Sequence, residues 1–322
     1  NFHLTNQMND LKKCETIFIS KDIKTNNNNE SDYKPIKKYI SDLDKKMPKK
    51  ISFVIQSQVI PGFCNSLNIK NRNLFYHVET LIFGNAMFRA LYPERFIIGS
   101  NDSLDILPDP INIFLNSFNC PILIMGYESA ELSKIAINCY LASTLSITNT
   151  LSEISDSLGG NWNEIIPTLQ LDKRIGEFAY LKPGLGISGG NIERDLATIQ
   201  SIGFKNNANV KCIESIIDLS KYSKQWLYRN MKEHIGKNSN LKIALLGLAY
   251  KENTNSIKNS PSIELLKKIK NFSIKVYDPL VKDINIKGVI ICNSAKEAMQ
   301  NADILVIGTP WEEFKNLEVS II

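Results

Sequence analysis

Three histidines, three tryptophans and six cysteines are all that the 322 residues contain of those types. The histidines (3, 77 and 234) are too few and too dispersed for a metal site, so none is expected. The cysteines (14, 64, 120, 139, 212 and 292) form no C-x-x-C pair and read as reduced, mostly buried thiols of a cytoplasmic protein. No apolar run reaches the ~18 residues of a membrane span, and residues 1–20 lack the layout of a signal peptide, so no membrane partner is expected. Charge is nearly balanced, with a net +5. That mild excess suits a small anionic ligand. With no nucleic-acid-binding signature in the chain, no nucleic-acid partner is expected. The one dense cluster, Lys45, Lys46, Lys49 and Lys50 around Met47–Pro48, reads as a solvated loop before a strand.

What is present is alternation. "TIFIS" (16–20), "ISFVIQS" (51–57), "LFYHVE" (74–79) and "RFIIGS" (95–100) read as strands, and residues 31–43 carry helical spacing at Ile36, Ile40 and Leu43. Strands alternating with helices predict a parallel α/β sheet over residues 1–118, and the first residues read as a short strand and a helix before 16–20. The character changes at Gly126. Residues 127–159 hold apolar positions close to a 3.6-residue period, with no Pro and no Gly before Gly159, which predicts one long helix closed by Gly159–Gly160. A helix with Asn161 as its cap follows. Then come "LKPGLGISGGNIERDL" (181–196), whose glycines suit close backbone approach to a ligand, and further helices to about residue 236. From "LKIALLGLAYKENT" (241–254) a second α/β block begins, with Ser260 capping a helix that has Pro261 in its first turn, and the pattern reads βαβαβ.

Taken together, several stretches resemble the UDP-glucose/GDP-mannose dehydrogenase family, the nucleotide-sugar 6-dehydrogenases. "SQVIPG" is similar to the family's S-T-V-x-P-G, and "ESAELSKIAINCYLASTLSITN" to A-E-L-x-K-x-x-x-N-x-x-L. "LDKRIGEFAYLKPGLGISGGNIERD" is similar to D-x-R-I-G…L-x-x-G-x-G-F-G-G-S-C-x-P-K-D. "LGLAYKENTNSIKNSPSIEL" and "PWEEFKNL" resemble two further family stretches, and the matches are collinear from end to end. The resemblance implies two Rossmann-like doubly wound α/β domains, both incomplete, joined by an all-helical dimerisation domain. The expected bounds are 1–125 for a partial NAD-binding domain, 126–238 for the helical domain and 239–322 for a partial UDP-binding domain. It also implies NAD as cofactor, a UDP-sugar or related nucleotide-sugar as substrate, and a homodimer through the helix 127–158. The family's pyrophosphate turn, G-x-G-x-x-G, is expected to be absent from the chain, as if both ends were missing.

The family oxidises C6 of the sugar from alcohol to acid in two hydride transfers, with a cysteine thiolate capturing the intermediate aldehyde. Matching the glycine loop places Asn191 at the cysteine position. An amide nitrogen shares its lone pair with the carbonyl and cannot act as that nucleophile, so the full oxidation is expected to be lost. The resemblance assigns Lys134 and Asn138, four residues apart on one helical face, to the reacting oxygen and a water, and Asp195 to orienting the water or base, against an alternative reading of Asp195 as a helix cap. Glu79 matches a family acid; a second family acid falls on Phe83. Gln58 stands where the family has a threonine, beside Ser57 in the cofactor-binding motif. Arg174, Tyr180, Leu181, Lys182, Gly186, Gly190 and Lys251 match substrate-holding positions, and Lys258 stands where an arginine meets the NAD phosphates.

Overall fold

A computed structural model describes residues 3–26, 31–82, 84–102, 106–235 and 240–317. The chain packs as two compact units, Asn1–Ile137 and Asn138–Ile322.

In the first unit a 3-10 turn (Met8–Lys13) leads into β1 (Thr16–Ile19), and no strand precedes it among the described residues. Next come α1 (Lys34–Lys46), β2 (Ser52–Ile55), β3 (Leu74–His77), the short α2 (Ala86–Leu91), β4 (Phe96–Ser100), α3 (Asp109–Asn116) and β5 (Ile122–Gly126). The sheet order is β1-β2-β3-β4-β5. All neighbours are parallel except β3 and β4, which run antiparallel through Tyr76↔Gly99 and His77↔Ile98. The expected all-parallel sheet is therefore corrected at this pair. An antiparallel neighbour needs no crossover, and the connection 78–95 carries, among its described residues, only the six-residue α2. The equally long connection 56–73 carries no helix and still returns parallel, so the alternation of strands and helices does not fix strand direction here. β5 was missed in the sequence because its run, Ile122–Gly126, directly abuts the next helix.

Side-chain alternation explains the two faces. Phe53 and Ile55 of β2 face Ile36, Ile40 and Leu43 of α1, while Val54 between them faces Ile111 and Leu115 of α3. Arg72 closes the end of α1. Its guanidinium donates to the carbonyls of Asp44, Met47, Pro48 and Ile51 and to Asp44 Oδ1, and lies 4.1 Å from the Phe53 ring centroid. One buried side chain thereby serves a carbonyl in the last turn of α1 and three more in the segment that follows it.

α4 (Tyr127–Ser157) begins in this unit and continues into the second. It ends where expected, with Gly159 in the left-handed region at φ +75°. In the second unit follow α5 (Trp162–Leu171), α6 (Asn191–Lys205), α7 (Lys211–Lys224) and α8 (Trp226–Ile235), the last two breaking at Gln225 what the sequence reads as one helical run. The Asn161 side chain accepts from the Asn163 amide, as expected of a cap. β6 (Lys242–Leu246), α9 (Pro261–Lys268), β7 (Ser273–Tyr277), β8 (Val289–Ile291), α10 (Ala295–Met299) and β9 (Ile304–Ile307) complete the unit. These strands form a parallel sheet in the order β8-β7-β6-β9. The three-residue β8 lies outside the expected βαβαβ. Ser260 precedes α9 but caps it with its backbone alone: its carbonyl accepts from Glu264, while its buried Oγ makes no hydrogen bond.

Candidate functional site

The second sheet has a topological switch. β7 lies on one side of β6 and β9 on the other, so the crevice outside their carboxyl ends is open to a ligand. A cavity of about 600 Å³ sits there. Tyr250, Lys251 and Glu252 line it from the turn after β6, and Ile307–Pro310 from the turn after β9. The glycine loop contributes residues 183–186 and Ser188. α4 contributes Asn149, Ser152, Glu153 and Asp156, and the α7–α8 junction contributes Ser223, Trp226 and Arg229. Its volume is that of small-molecule sites. Burial lowers the Lys251 pKa, against a smaller opposing effect of Glu252.

The glycine loop is built from inside the chain. The Gly184 amide donates to Asn149 Oδ1 at 2.8 Å, Ile187 to Ser220 Oγ at 2.8 Å and Gly189 to the Lys258 carbonyl at 3.1 Å. A methyl group on Gly189 would meet the Tyr250 ring at 2.8 Å, and one on Gly190 the Lys258 side chain at 2.8 Å. With φ of +96° and +118°, both positions favour glycine doubly. The room these two glycines leave is thus taken by Tyr250 and Lys258. The Tyr180 carbonyl accepts from Thr148 Oγ1 and the Leu181 carbonyl from the Trp162 indole, each at 2.8 Å, and Leu181 is buried.

Asn191 is the exposed first residue of α6. One turn further, Asp195 is buried inside the helix, so it is not the helix cap. It accepts from Asn138 Nδ2 at 2.6 Å, and Arg194 Nε stands 3.6 Å from its other oxygen. The structure therefore joins Asn138 to Asp195 across α4 and α6, while Lys134 lies one turn earlier in α4. Neither Asn138 nor Asp195 lines the cavity. Cys139 is half-buried, and burial, then Asp195, pushes its thiol up to about 11, which leaves it protonated at neutral pH.

Arg174 is at the surface, 88% exposed, and holds its own Asp172 with two guanidinium bonds of 3.0 and 2.6 Å. Lys182 and Tyr180 are exposed. In the first unit, Ser57 Oγ donates to the Lys21 carbonyl at 2.6 Å, and Gln58 follows it half-buried. One Glu79 oxygen accepts from the amides of Thr80 and Leu81. Phe83 lies outside the described residues.

Sequence reasoning passed over three polar groups, Glu131 and Asp278 buried and Glu193 half-buried. Glu131 accepts from the amides of Gly62 and Cys64 at 2.6 and 2.8 Å, tying α4 to the "SQVIPG" loop. Glu193 accepts from Lys224 at 2.5 Å and from Asn259, tying α6 to α7 and to the approach to α9. Asp278 accepts from the amides of Leu248, Ala249, Leu280 and Val281 and from the Trp311 indole. None of these partners is close in sequence except the last two amides, so spacing carries no signal of them.

NAD would need backbone amides for its pyrophosphate. The letters G-x-G-x-x-G do occur once, at Gly184–Gly189, contrary to expectation. They follow a helical segment instead of a strand, and the amides of Gly184, Ile187 and Gly189 are spent as described above. At the glycine-bearing turn after β6, the Asp278 carboxylate already takes the amides of Leu248 and Ala249. Neither turn fits a dinucleotide pyrophosphate.

A doubly wound α/β block with an open switch-point cavity and a helical segment beside it defines the class. Two family models narrow it. The central domain of the UDP-glucose/GDP-mannose dehydrogenase family matches residues 128–222, and the UDP binding domain of the same family matches 244–322, together more than half of the chain. The chain belongs to the UDP-glucose/GDP-mannose dehydrogenase family. It is 29% identical to a UDP-glucose 6-dehydrogenase of Rickettsia felis over 96% of this chain and 72% of that one. A UDP-glucose 6-dehydrogenase of Rickettsia typhi is 28% identical over 96% and 74%. A UDP-glucose dehydrogenase structure from Pyrobaculum islandicum superposes with a TM-score of 0.84 at 19% identity, covering 98% of this chain and 76% of the other, and supports the fold.

Proposed function

We propose that this chain binds a nucleoside diphosphate sugar, such as a UDP-sugar, in the switch-point cavity of its second unit, and that the complete oxidation of its family is lost. The cavity carries the binding reading: Lys251 supplies positive charge for a diphosphate where α/β sheets hold their ligands. In this reading residues 239–322 form the nucleotide-sugar domain, and residues 126–238 form the helical domain that bears the glycine loop. The sugar end lies toward Asn138 and Asp195. Their hydrogen bond fixes a carboxylate that orients a water or accepts a proton, and Lys134 supplies charge to the reacting oxygen. Arg174 serves the same ligand as a second copy of the chain brings it in. By resemblance the cofactor is NAD, and Ser57, Gln58 and Lys258 are the positions proposed for it, although the two glycine turns do not fit its pyrophosphate.

Asn191 carries the second half of the proposal. No nucleophile stands at the start of α6, and the nearby Cys139 thiol is held protonated. The same observation favours a second reading in which the chain binds the nucleotide-sugar without oxidising it. Purified protein given UDP-glucose and NAD separates the outcomes. No NADH with calorimetric binding supports the non-catalytic reading. One NADH per sugar with a trappable aldehyde supports a single oxidation. Two NADH per sugar overturns the assignment of Asn191.

Homodimerisation is proposed through α4, where Tyr140, Ile147, Leu151, Ile154 and Leu158 at its end expose large apolar side chains at helical spacing. Sedimentation equilibrium tests it. A cytoplasmic location accompanies the reading, since all six cysteines are free thiols.

A further inference from the structure

Two of the three tryptophans are buried and use their indole N–H groups inside the second unit. Trp162, 6% exposed, donates to the Leu181 carbonyl, and Trp311, 8% exposed, donates to Asp278. Trp226 differs. It is 45% exposed, opens α8 and faces the cavity. An aromatic face left to water inside a concave site is apolar surface that a flat ligand would cover.

The wall beside it is built and polar. The Arg229 guanidinium lies 3.7 Å from the Tyr222 ring centroid, donates to the Tyr222 carbonyl at 2.6 Å and stands 3.5 Å from Glu153. The Tyr222 hydroxyl donates to Glu153 at 2.8 Å. These bonds hold the Glu153 carboxylate on the cavity wall, where its remaining lone pairs can accept from hydroxyl groups. A flat aromatic platform next to a fixed hydroxyl acceptor, with Lys251 in the same cavity, matches the three parts of a nucleotide: base, ribose and phosphate.

The direction follows from α4. Asn149 to Asp156, which line the cavity, lie about 16 to 27 Å along the helix axis from Asn138 at the α-helical rise. A nucleotide-sugar whose sugar reaches Asn138 and Asp195 therefore has its base at the far end. We infer that Trp226 is the stacking platform for the nucleobase and that Glu153 receives the ribose hydroxyls. This rests on the nucleotide-sugar reading given above and adds the residue that holds its nucleoside end.

Trp226 is also the half-exposed fluorophore of the three, so the test is spectroscopic. UDP titrated into the full chain is expected to quench tryptophan emission, and glucose 1-phosphate is not. Trp226→Leu is expected to abolish the quench and weaken UDP binding by calorimetry on the order of tenfold, the scale of one base–aromatic stack. Trp226→Phe keeps an aromatic face and is expected to retain most of the affinity while losing the signal. UDP binding with unchanged affinity in Trp226→Leu overturns the inference and leaves the nucleotide-sugar reading standing. Quenching by glucose 1-phosphate alone places the sugar on the platform and also overturns it. No binding of UDP or UDP-glucose to the unaltered chain overturns both.

Discussion

Asn138 Nδ2 donates to Asp195 Oδ2 at 2.6 Å, a charge-assisted bond between two buried side chains that are 57 residues apart. It joins the middle of α4 to the second turn of α6. Replacing the amide by a carboxylate removes the donor and sets two like charges in one buried place. Asn138→Asp is expected to lower stability by about 2–4 kcal/mol at neutral pH, measured by urea unfolding. Adding Asp195→Asn restores a donor opposite an acceptor, and the double variant is expected to recover much of that loss. Simple additivity of the two losses would show that the bond does not couple the helices.

The start of α6 gives a second prediction. Asn191 is exposed at the first position of a 15-residue helix. A cysteine there would sit at the positive end of the helix, which favours the thiolate. Asn191→Cys is expected to react with a disulfide reagent faster than any native thiol, and far faster than Cys139, whose thiol is pushed up to about 11. Mass spectrometry of the first labelled site decides this. First labelling at the exposed Cys212 would show that the position does not activate a thiol.

These two residues show what sequence could and could not convey. α4 was legible because 31 residues without Gly or Pro leave the chain little alternative, and Gly159 stops it. The strands of the second sheet were legible as apolar runs, except β8, whose three residues are too short to stand out. The pairing of Asn138 with Asp195 was not legible, because only packing decides which buried polar groups meet. The same holds for the glycine loop. Its composition indicates close approach, yet what approaches Gly189 and Gly190 is the chain's own Tyr250 and Lys258. The antiparallel β3–β4 pair was hidden because two connections of equal length, 56–73 and 78–95, return one strand parallel and the next antiparallel.

Arg72 gives a prediction about folding. Its side chain is fully buried, pairs with Asp44 at 2.8 Å and serves four carbonyls around the end of α1. Arg72→Ala leaves those acceptors and the Asp44 charge without it. A loss of about 3–5 kcal/mol is expected in the first unit, the scale of breaking a buried charged network from one side. Arg72→Lys keeps the charge but not the planar fork, and is expected to recover less than half of that loss. Hydrogen exchange across residues 34–51 reads the effect locally; unchanged protection there would show that α1 closes without the guanidinium.

His77 links the first unit to pH. Its Nδ1 receives the Gln56 amide at 2.9 Å, with the imidazole edge-on to Phe96. Burial lowers its pKa from the ordinary 6.5, with Glu79 opposing in part. Below pH 6.5 the unfolded chain takes a proton on this imidazole before the folded chain does. The unfolded state then binds more protons, so stability is complete above pH 6.5 and falls as pH drops from there toward the lower folded value. Protonation also converts the Nδ1 acceptor into a donor facing the Gln56 amide, which removes that bond. Denaturant unfolding followed from pH 7.5 to 5 is expected to show this loss in the unaltered chain. In His77→Gln, which has no titrating group at the position, the slope over that range is expected to be shallower. An equal slope in both proteins would assign the acid sensitivity to other groups.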